Sequence, residues 1–476
     1  MSSIKTPETM AQNASVYDAI LVTTHYNYDE EGYVIPPASG TDFSDLSYVV
    51  PLGIIHIAQY LYNCGLNVRV LHLPHEMHTL RCFGMDEPFV KDAMTSILSR
   101  YPARVCGIQV HWHLYCGGAL YISGIYKTLF PESQIILGGY MASALWREFL
   151  SASEDIDGIV LGEGEKPFRR IVENALSPNR SIFAGVQGVA FRNGNKGLER
   201  RPPSSRDFLS AEEIPIIHPD ALPFEGVYWP KGHYIHVARG LCPEQCAYCV
   251  ANNTSINSRP YQTLCIDRIL EQIHAYQESG LEQLFMGETQ FLNTSFMEIL
   301  LEGIIGEDFN LYFELETHPV FFESQKLLEK IIRAKFWRFT MGCESGSDSL
   351  LRSMNRRSNA AQILSSVKRI AESGGIVLTS WISNLPGETA AEFLETQEML
   401  RRVVRANGFV YWIENLHVSP GSPLHENPES WDIDILPRCL DDWIRWSMVV
   451  ETICILRRGH QKPASIPYAC ESSSFA

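Results

Sequence analysis

Cys242-Pro243-Glu244-Gln245-Cys246-Ala247-Tyr248-Cys249 brings three thiols together at C-x3-C-x2-C spacing. A strand-forming run, Tyr234–Ala238, and the turn Arg239-Gly240 come directly before it. The thiols therefore fall at the carboxyl end of a strand, where parallel α/β sheets and barrels place their chemistry. Three thiolates this close can hold three irons of a [4Fe–4S] cube and leave the fourth iron open. A structural zinc is a rival, but it wants a fourth ligand close by to close its tetrahedron, and the residues that follow offer none. Chance grouping of buried thiols, which pack as small hydrophobes, is the plain alternative.

Strand signals recur downstream near 283–286, 311–315, 338–342, 376–382 and 410–416, with helical periodicity at 264–278, 295–304, 324–333, 361–373 and 390–404. With the strand ahead of the thiols this makes about six βα units, too few to close an eight-fold barrel and enough for an open one. Upstream, a first alternating series starts at Ala19-Ile20-Leu21-Val22 and continues through strands near 68–71, 105–110, 135–137 and 158–161. Strands alternating with helices predict a parallel sheet covered on both faces. The carboxyl ends of those strands carry His111-Trp112-His113, Gly138-Gly139-Tyr140 and Gly162-Glu163-Gly164-Glu165. Residues 178–232 are rich in Pro and polar side chains and read as a small hairpin and a linker, and 430–460 read as a helical cap.

The whole chain has 476 residues, 45% hydrophobic and 20% charged, enough for real cores and long enough for two to four domains. With 39 Lys plus Arg against 55 Asp plus Glu, the net charge of −16 speaks against nucleic acid or an anionic membrane as a partner. No apolar run approaches the roughly 18 residues of a membrane span, and the first residues lack a signal-peptide pattern. A cytoplasmic protein with reduced thiols is the expectation.

The triplet at the end of a barrel's first strand resembles the hallmark of the radical S-adenosylmethionine (radical SAM) superfamily. That resemblance implies a [4Fe–4S] cluster on Cys242, Cys246 and Cys249, with S-adenosylmethionine on the open iron as the source of a 5′-deoxyadenosyl radical. Tyr248 stands where the family packs an aromatic against the adenine. Met286-Gly287-Glu288 matches the short acidic motif near the methionine amino group. Glu316, Glu344 and Ser380 take positions that in relatives face the ribose and methionine, and Arg356 is the implied partner of the methionine carboxylate. Ile382-Ser383-Asn384-Leu385-Pro386-Gly387-Glu388-Thr389 resembles the fifth-strand pattern, departing from it at Asn384, where Gly is usual.

The first series resembles the cobalamin-binding domain fused to one large radical SAM subgroup. It does so through Pro51-Leu52-Gly53, Leu137-Gly138-Gly139-Tyr140 and Asp157–Glu165. The resemblance implies cobalamin contacts from His111, Trp112, Gly138, Gly139, Tyr140, Gly162, Glu163 and Gly164. The Asp-x-His-x-x-Gly motif of domains that ligate cobalt through His is missing.

The expected architecture is α/β. A Rossmann-like cobalamin-binding domain at 17–180 and a linker at 181–232 lead into a partial (β/α)6 radical SAM barrel at 233–425, followed by a C-terminal helical extension at 426–476. The expected cofactors are the [4Fe–4S] cluster, S-adenosylmethionine and cobalamin. The expected reaction is methyl transfer from methylcobalamin to an unactivated carbon of a small molecule or peptide, with a reductase or flavodoxin-type protein as electron donor. Rearrangement, cyclisation or ring contraction without net methyl transfer is the alternative. The geometry this requires is a barrel mouth facing the carboxyl edge of the first sheet.

Overall fold

The computed structural model describes residues 16–24, 50–79, 87–112, 115–194, 197–229, 231–251, 253, 254, 256, 259–287, 294–433, 436, 437 and 439–448. The first sheet is built on β1 (Tyr17–Thr23), a strand buried from Ala19 onward and flanked on both sides by parallel neighbours. These are β2 (Val68–His72) and β3 (Ala103–Gln109), followed by β4 (Gln134–Gly138) and β5 (Gly158–Val160). Apolar runs of this kind suit strands covered on both faces. The hairpin expected in the connecting stretch is β6 (Val189–Arg192) with β7 (Leu198–Arg201), and it pairs antiparallel onto β5, carrying the sheet past residue 180.

The order β2-β1-β3-β4-β5-β6-β7 reverses direction between β1 and β3. At such a switch point the loops part and leave a crevice outside the carboxyl ends. On one face, Ala19, Leu21 and Val105 pack under helices Leu52–Asn63 and Glu165–Ala175. In the first of these, Ile54, Ile55, Ala58 and Leu61 recur at helical spacing and are buried. On the other face, Ile20, Val22 and Ile108 pack under helices Glu87–Leu98, Cys116–Leu129 and Trp146–Ala152. The helix Leu440–Met448, the described part of the expected cap, returns to this face and buries Leu440 and Trp443 there.

The second sheet starts with β8 (Gly232–Tyr234). The predicted first strand is shared between two ladders. Residues 232–234 join the barrel, while β9 (Ala238–Arg239) pairs antiparallel with β10 (Gln262–Thr263), so the cysteine loop is framed by its own short ladder. Then come β11 (Gln283–Met286), β12 (Tyr312–Thr317), β13 (Phe336–Glu344), β14 (Ile376–Ser383) and β15 (Phe409–Asn415). All six barrel strands are parallel, in the open order β15-β14-β13-β12-β11-β8. Phe313, Leu315, Phe339 and Met341 face the helical layer, and the alternate positions Glu314 and Glu316 face the lumen. One apolar cluster runs from helix Leu52–Asn63 through Ile217 and Phe224 to Ile235 and Val237, so the two modules share a core. Among the described residues, no helix is long and apolar enough to cross a membrane.

Candidate functional site

The cysteine loop leaves β9 and is closed at its base by Leu241 N–H to the Arg259 carbonyl and Cys242 N–H to the Ala251 carbonyl, both at 2.9 Å. Its far side is tied to the rest of the barrel. Ala247 N–H donates to the Met354 carbonyl at 3.1 Å, and the Ala247 carbonyl accepts from Leu424 N–H at 3.1 Å, just past the Pro420-Gly421-Ser422-Pro423 turn. Asn253 reaches the same turn through its amide, which donates to the Gly421 carbonyl and, at 2.9 Å, to Glu426. Ala247, Met354, Leu385 and Leu424 form a separate small apolar cluster beneath the loop.

Cys242 and Cys246 are buried and Cys249 half-buried. Two donors are aimed at the sulfurs: Ala251 N–H at Cys249 Sγ, 3.4 Å, and Arg356 Nη1 at Cys246 Sγ, 3.5 Å. Burial pushes the Cys249 thiol up to about 11 in the metal-free protein. A cation and N–H donors at sulfur favour the thiolate, which is the form that binds iron. Among the described residues no group of three or more His, Cys, Asp or Glu side chains is already drawn into a metal cage. What fits a cluster is therefore the chemistry of the donors and their position on one loop.

The implied S-adenosylmethionine contacts gather beside this loop. Arg356 lies 3.7 Å from Glu344 and donates to the Gly342 carbonyl. Tyr248 is half-buried beside them, its hydroxyl held well above the usual range by burial and then by the Glu344 charge. Burial also raises the Glu344 carboxyl, with Arg356 opposing. Glu316, facing Glu344 from β12, is pushed up to about 7 by burial and secondarily by that neighbour. Ser380 sits opposite Gly342 on β14 and donates to the Met341 carbonyl at 3.4 Å. Strongly shifted groups gathered at neighbouring strand ends are the electrostatic pattern of a candidate binding site. Glu288 lies outside the described residues, as does His113. Asn384, the departure from the family pattern, has φ +60, a left-handed conformation that Asn tolerates almost as Gly does, and its side chain adds a 2.6 Å bond to Asn415 Oδ1.

A cavity of about 560 Å³ opens between the modules. His111, Trp112, Gly138, Gly139, Tyr140, Gly162, Glu163 and Gly164 all line it from the first sheet. Tyr234, His236, Ala238, Arg239, Gly240 and Ala251 line it from the base of the cysteine loop. The carboxyl edge of the first sheet thus faces the barrel mouth. Gly139 has φ +105, and a Cβ there would stand 2.6 Å from the Val110 carbonyl oxygen, so the turn after β4 admits only glycine. The His111 ring packs edge-on against Tyr140 at 5.1 Å, and burial lowers it to about 4, leaving a neutral imidazole on the wall. Trp112 is 49% exposed, so its indole is available to the cavity. A broad apolar wall with glycine turns suits a flat corrin.

Glu163 lines the cavity, but its carboxylate is engaged elsewhere, by Arg259 at 2.8 Å. Arg239 and Arg259 escape a reading of the sequence, because nothing local marks them as partners of residues 74 and 96 positions earlier.

Residues 240–400 match the family model of the radical SAM superfamily, and residues 44–172 match that of the B12 binding domain. The chain thus carries a radical SAM domain with a B12-binding domain ahead of it. The radical SAM domain implies a [4Fe–4S] cluster and S-adenosylmethionine, and the B12-binding domain implies cobalamin. Among solved structures, the chain is similar to the radical S-adenosylmethionine methyltransferase TsrM of Kitasatospora setae, determined with cobalamin and a [4Fe–4S] cluster bound. The TM-score is 0.68 at 16% identity, over 89% of this chain and 80% of that one. Among curated proteins it is 27% identical over 263 residues to the tRNA-2-methylthio-N(6)-dimethylallyladenosine synthase of Thermus thermophilus, covering 49% of this chain and 54% of that protein. It is 24% identical over 292 residues to the anaerobic magnesium-protoporphyrin IX monomethyl ester cyclase of Rubrivivax gelatinosus, covering 58% and 50%. The chain thus spans about half the length of these two relatives.

Proposed function

We propose that this protein is a cobalamin-dependent radical SAM methyltransferase acting on an unactivated carbon of a small molecule or peptide. The observation that carries the reading is the cavity walled on one side by the first sheet's carboxyl edge and on the other by the base of the cysteine loop. When bound, the cluster with S-adenosylmethionine supplies a carbon-centred radical, and cobalamin supplies a methyl group. The protein's part is to bring the two cofactors to one substrate and exclude water. Cys242, Cys246 and Cys249 would hold the cluster, with N–H donors from Ala251 and Arg356 balancing charge on sulfur. Arg356 suits a carboxylate as a fork donor, and Glu344 beside it suits an ammonium. Tyr248 and Ser380 would flank the nucleoside. The glycine turns at 138–139 and 162–164 let the backbone approach the corrin, and His111, Trp112 and Tyr140 would line its face. The electron comes from an external reductase or flavodoxin-type donor.

A second reading, chemistry at the same site without net methyl transfer, is favoured by the likeness to the Rubrivivax cyclase. Product mass separates the two, by a gain of one methyl group or none. Methylthiolation of RNA has less support. It calls for a second cysteine set in the first module, and among the described residues there Cys106 and Cys116 are buried in the core while Cys64 is exposed. The acidic balance also opposes an RNA substrate.

The test is an anaerobic absorption spectrum of reconstituted protein with added cobalamin, before and after Cys246→Ala. Iron–sulfur absorption with retained corrin bands, the former lost in the variant, is the expected result. Corrin that washes off the wild type ends the methyltransferase reading, and a cluster that survives Cys246→Ala ends the assignment of the loop.

A further inference from the structure

The Gly162-Glu163-Gly164-Glu165 segment makes a contact between the modules that its motif does not announce. Arg239 Nη1 donates to Glu165 Oε1 at 2.6 Å, and Arg259 Nη2 donates to Glu163 Oε2 at 2.8 Å. Arg239 also stands 3.7 Å from Glu163, which cross-links the two pairs. All four side chains are withdrawn from solvent, none more than 13% exposed. Two carboxylates from the end of β5 and the first turn of the following helix thus meet two guanidiniums of the barrel module.

The position of those guanidiniums matters. Arg239 ends β9 and enters the cysteine loop; Arg259 leaves it, just ahead of β10. Leu241 N–H donates to the Arg259 carbonyl, so both arginines sit on the closing ladder of the loop. Arg259 Nη2 also donates to the Leu209 carbonyl, fastening the connecting stretch to the same point. Gly162 allows the two modules to approach this closely. It has φ +74, and a Cβ on it would lie 2.7 Å from the Ile256 carbonyl oxygen. A buried charge that loses its partner is strongly destabilising, so four interlocked charges define one register between the modules and disfavour others. Planar guanidinium forks make that register directional in a way an ammonium would not.

We infer that Glu163, Glu165, Arg239 and Arg259 form an intermodule clamp that holds both ends of the cysteine loop against the cobalamin-binding module. They are positioning residues: they set where the loop stands relative to the opposite cavity wall. The occupant of the cavity rests on the function proposed above; the clamp itself does not. Because the cavity walls belong to different modules, loosening the clamp widens the cavity and weakens the hold on whatever it contains.

The experiment uses the full chain, reconstituted with its cluster and with hydroxocobalamin, as wild type, as Glu163→Gln with Glu165→Gln, and as Arg239→Lys. Hydrogen exchange is followed by mass spectrometry, alongside iron–sulfur absorption and the rate of corrin release. In the double variant, exchange should rise tenfold or more in peptides covering 158–166 and 238–251, with β12 and β13 unchanged. Corrin release should quicken at least tenfold while iron–sulfur absorption persists. Arg239→Lys, which keeps the charge and loses the fork, should fall between, and it carries the same comparison if the double variant does not fold. Exchange within twofold of wild type in both segments overturns the clamp, as does an equal loss of protection in β12 and β13. A wild type that keeps its cluster but no corrin refutes the proposed function instead, and the exchange comparison still decides the clamp.

Discussion

Replacing Glu316 by Gln should remove a pH dependence from the stability of the cofactor-free protein. Burial and the neighbouring Glu344 raise the Glu316 carboxyl from 4.5 to about 7. The folded chain then binds this proton more tightly than the unfolded chain does. Its contribution to stability is fully present below about 4.5 and is lost as pH rises through 7. At 1.36 kcal/mol per pKa unit, the loss between pH 5 and pH 8 is about 2–3 kcal/mol. Gln is nearly isosteric and does not titrate in this range. Urea midpoints of wild type and Glu316→Gln at pH 5, 6, 7 and 8 are the assay, and the difference between the two pH slopes reports Glu316 together with its coupling to Glu344, while Glu414, which both proteins keep, cancels. The variant should gain on the wild type steadily from pH 5 upward and be the more stable protein at pH 8. Parallel slopes would refute the reasoning, because they would mean that Glu316 is solvated or paired rather than buried beside a like charge.

Gly139→Ala forces a side chain into φ +105 against the Val110 carbonyl. It should cost about 1–3 kcal/mol in thermal unfolding and speed corrin release, and an unchanged melting temperature would mean the turn can relax. Asn384→Ala loses both the left-handed preference and the bond to Asn415, so its denaturant midpoint should fall below that of Asn384→Gly, which loses only the bond. The reverse order would show that the backbone conformation at 384 does not matter.

The readings that held are those whose information is local. The C-x3-C-x2-C triplet carries its own spacing, and the turn before it declares a strand end. The six βα units of the barrel follow from period, and the five parallel strands of the first sheet follow from short apolar runs between helices. The order of the strands is less legible. Sequence order does not say that β1 would lie between β2 and β3, nor that the hairpin of β6 and β7 would continue the first sheet rather than stand in a linker. The predicted first barrel strand divided because Ala238–Arg239 found a closer partner in Gln262–Thr263 than in the barrel.

The site divides in the same way. Residue types that bind iron, a carboxylate or a flat ring can be named from their motifs, since chemistry belongs to the side chain and spacing belongs to the chain. Which carboxylate is available cannot be named from its motif. Glu163 sits in a segment that suggests a cofactor, and the fold engages it with Arg259; Glu316 is marked by its position in the family pattern, but only the fold shows that it is withdrawn from water beside Glu344. Desolvation and pairing across 74 to 96 residues are properties of the folded neighbourhood, and no local pattern encodes them. By itself the sequence determined two α/β modules and a cysteine loop at a strand end. Only the tertiary structure decided that the two modules share one core, face each other across one cavity, and lock through buried charges, because those facts depend on which surfaces exclude water together.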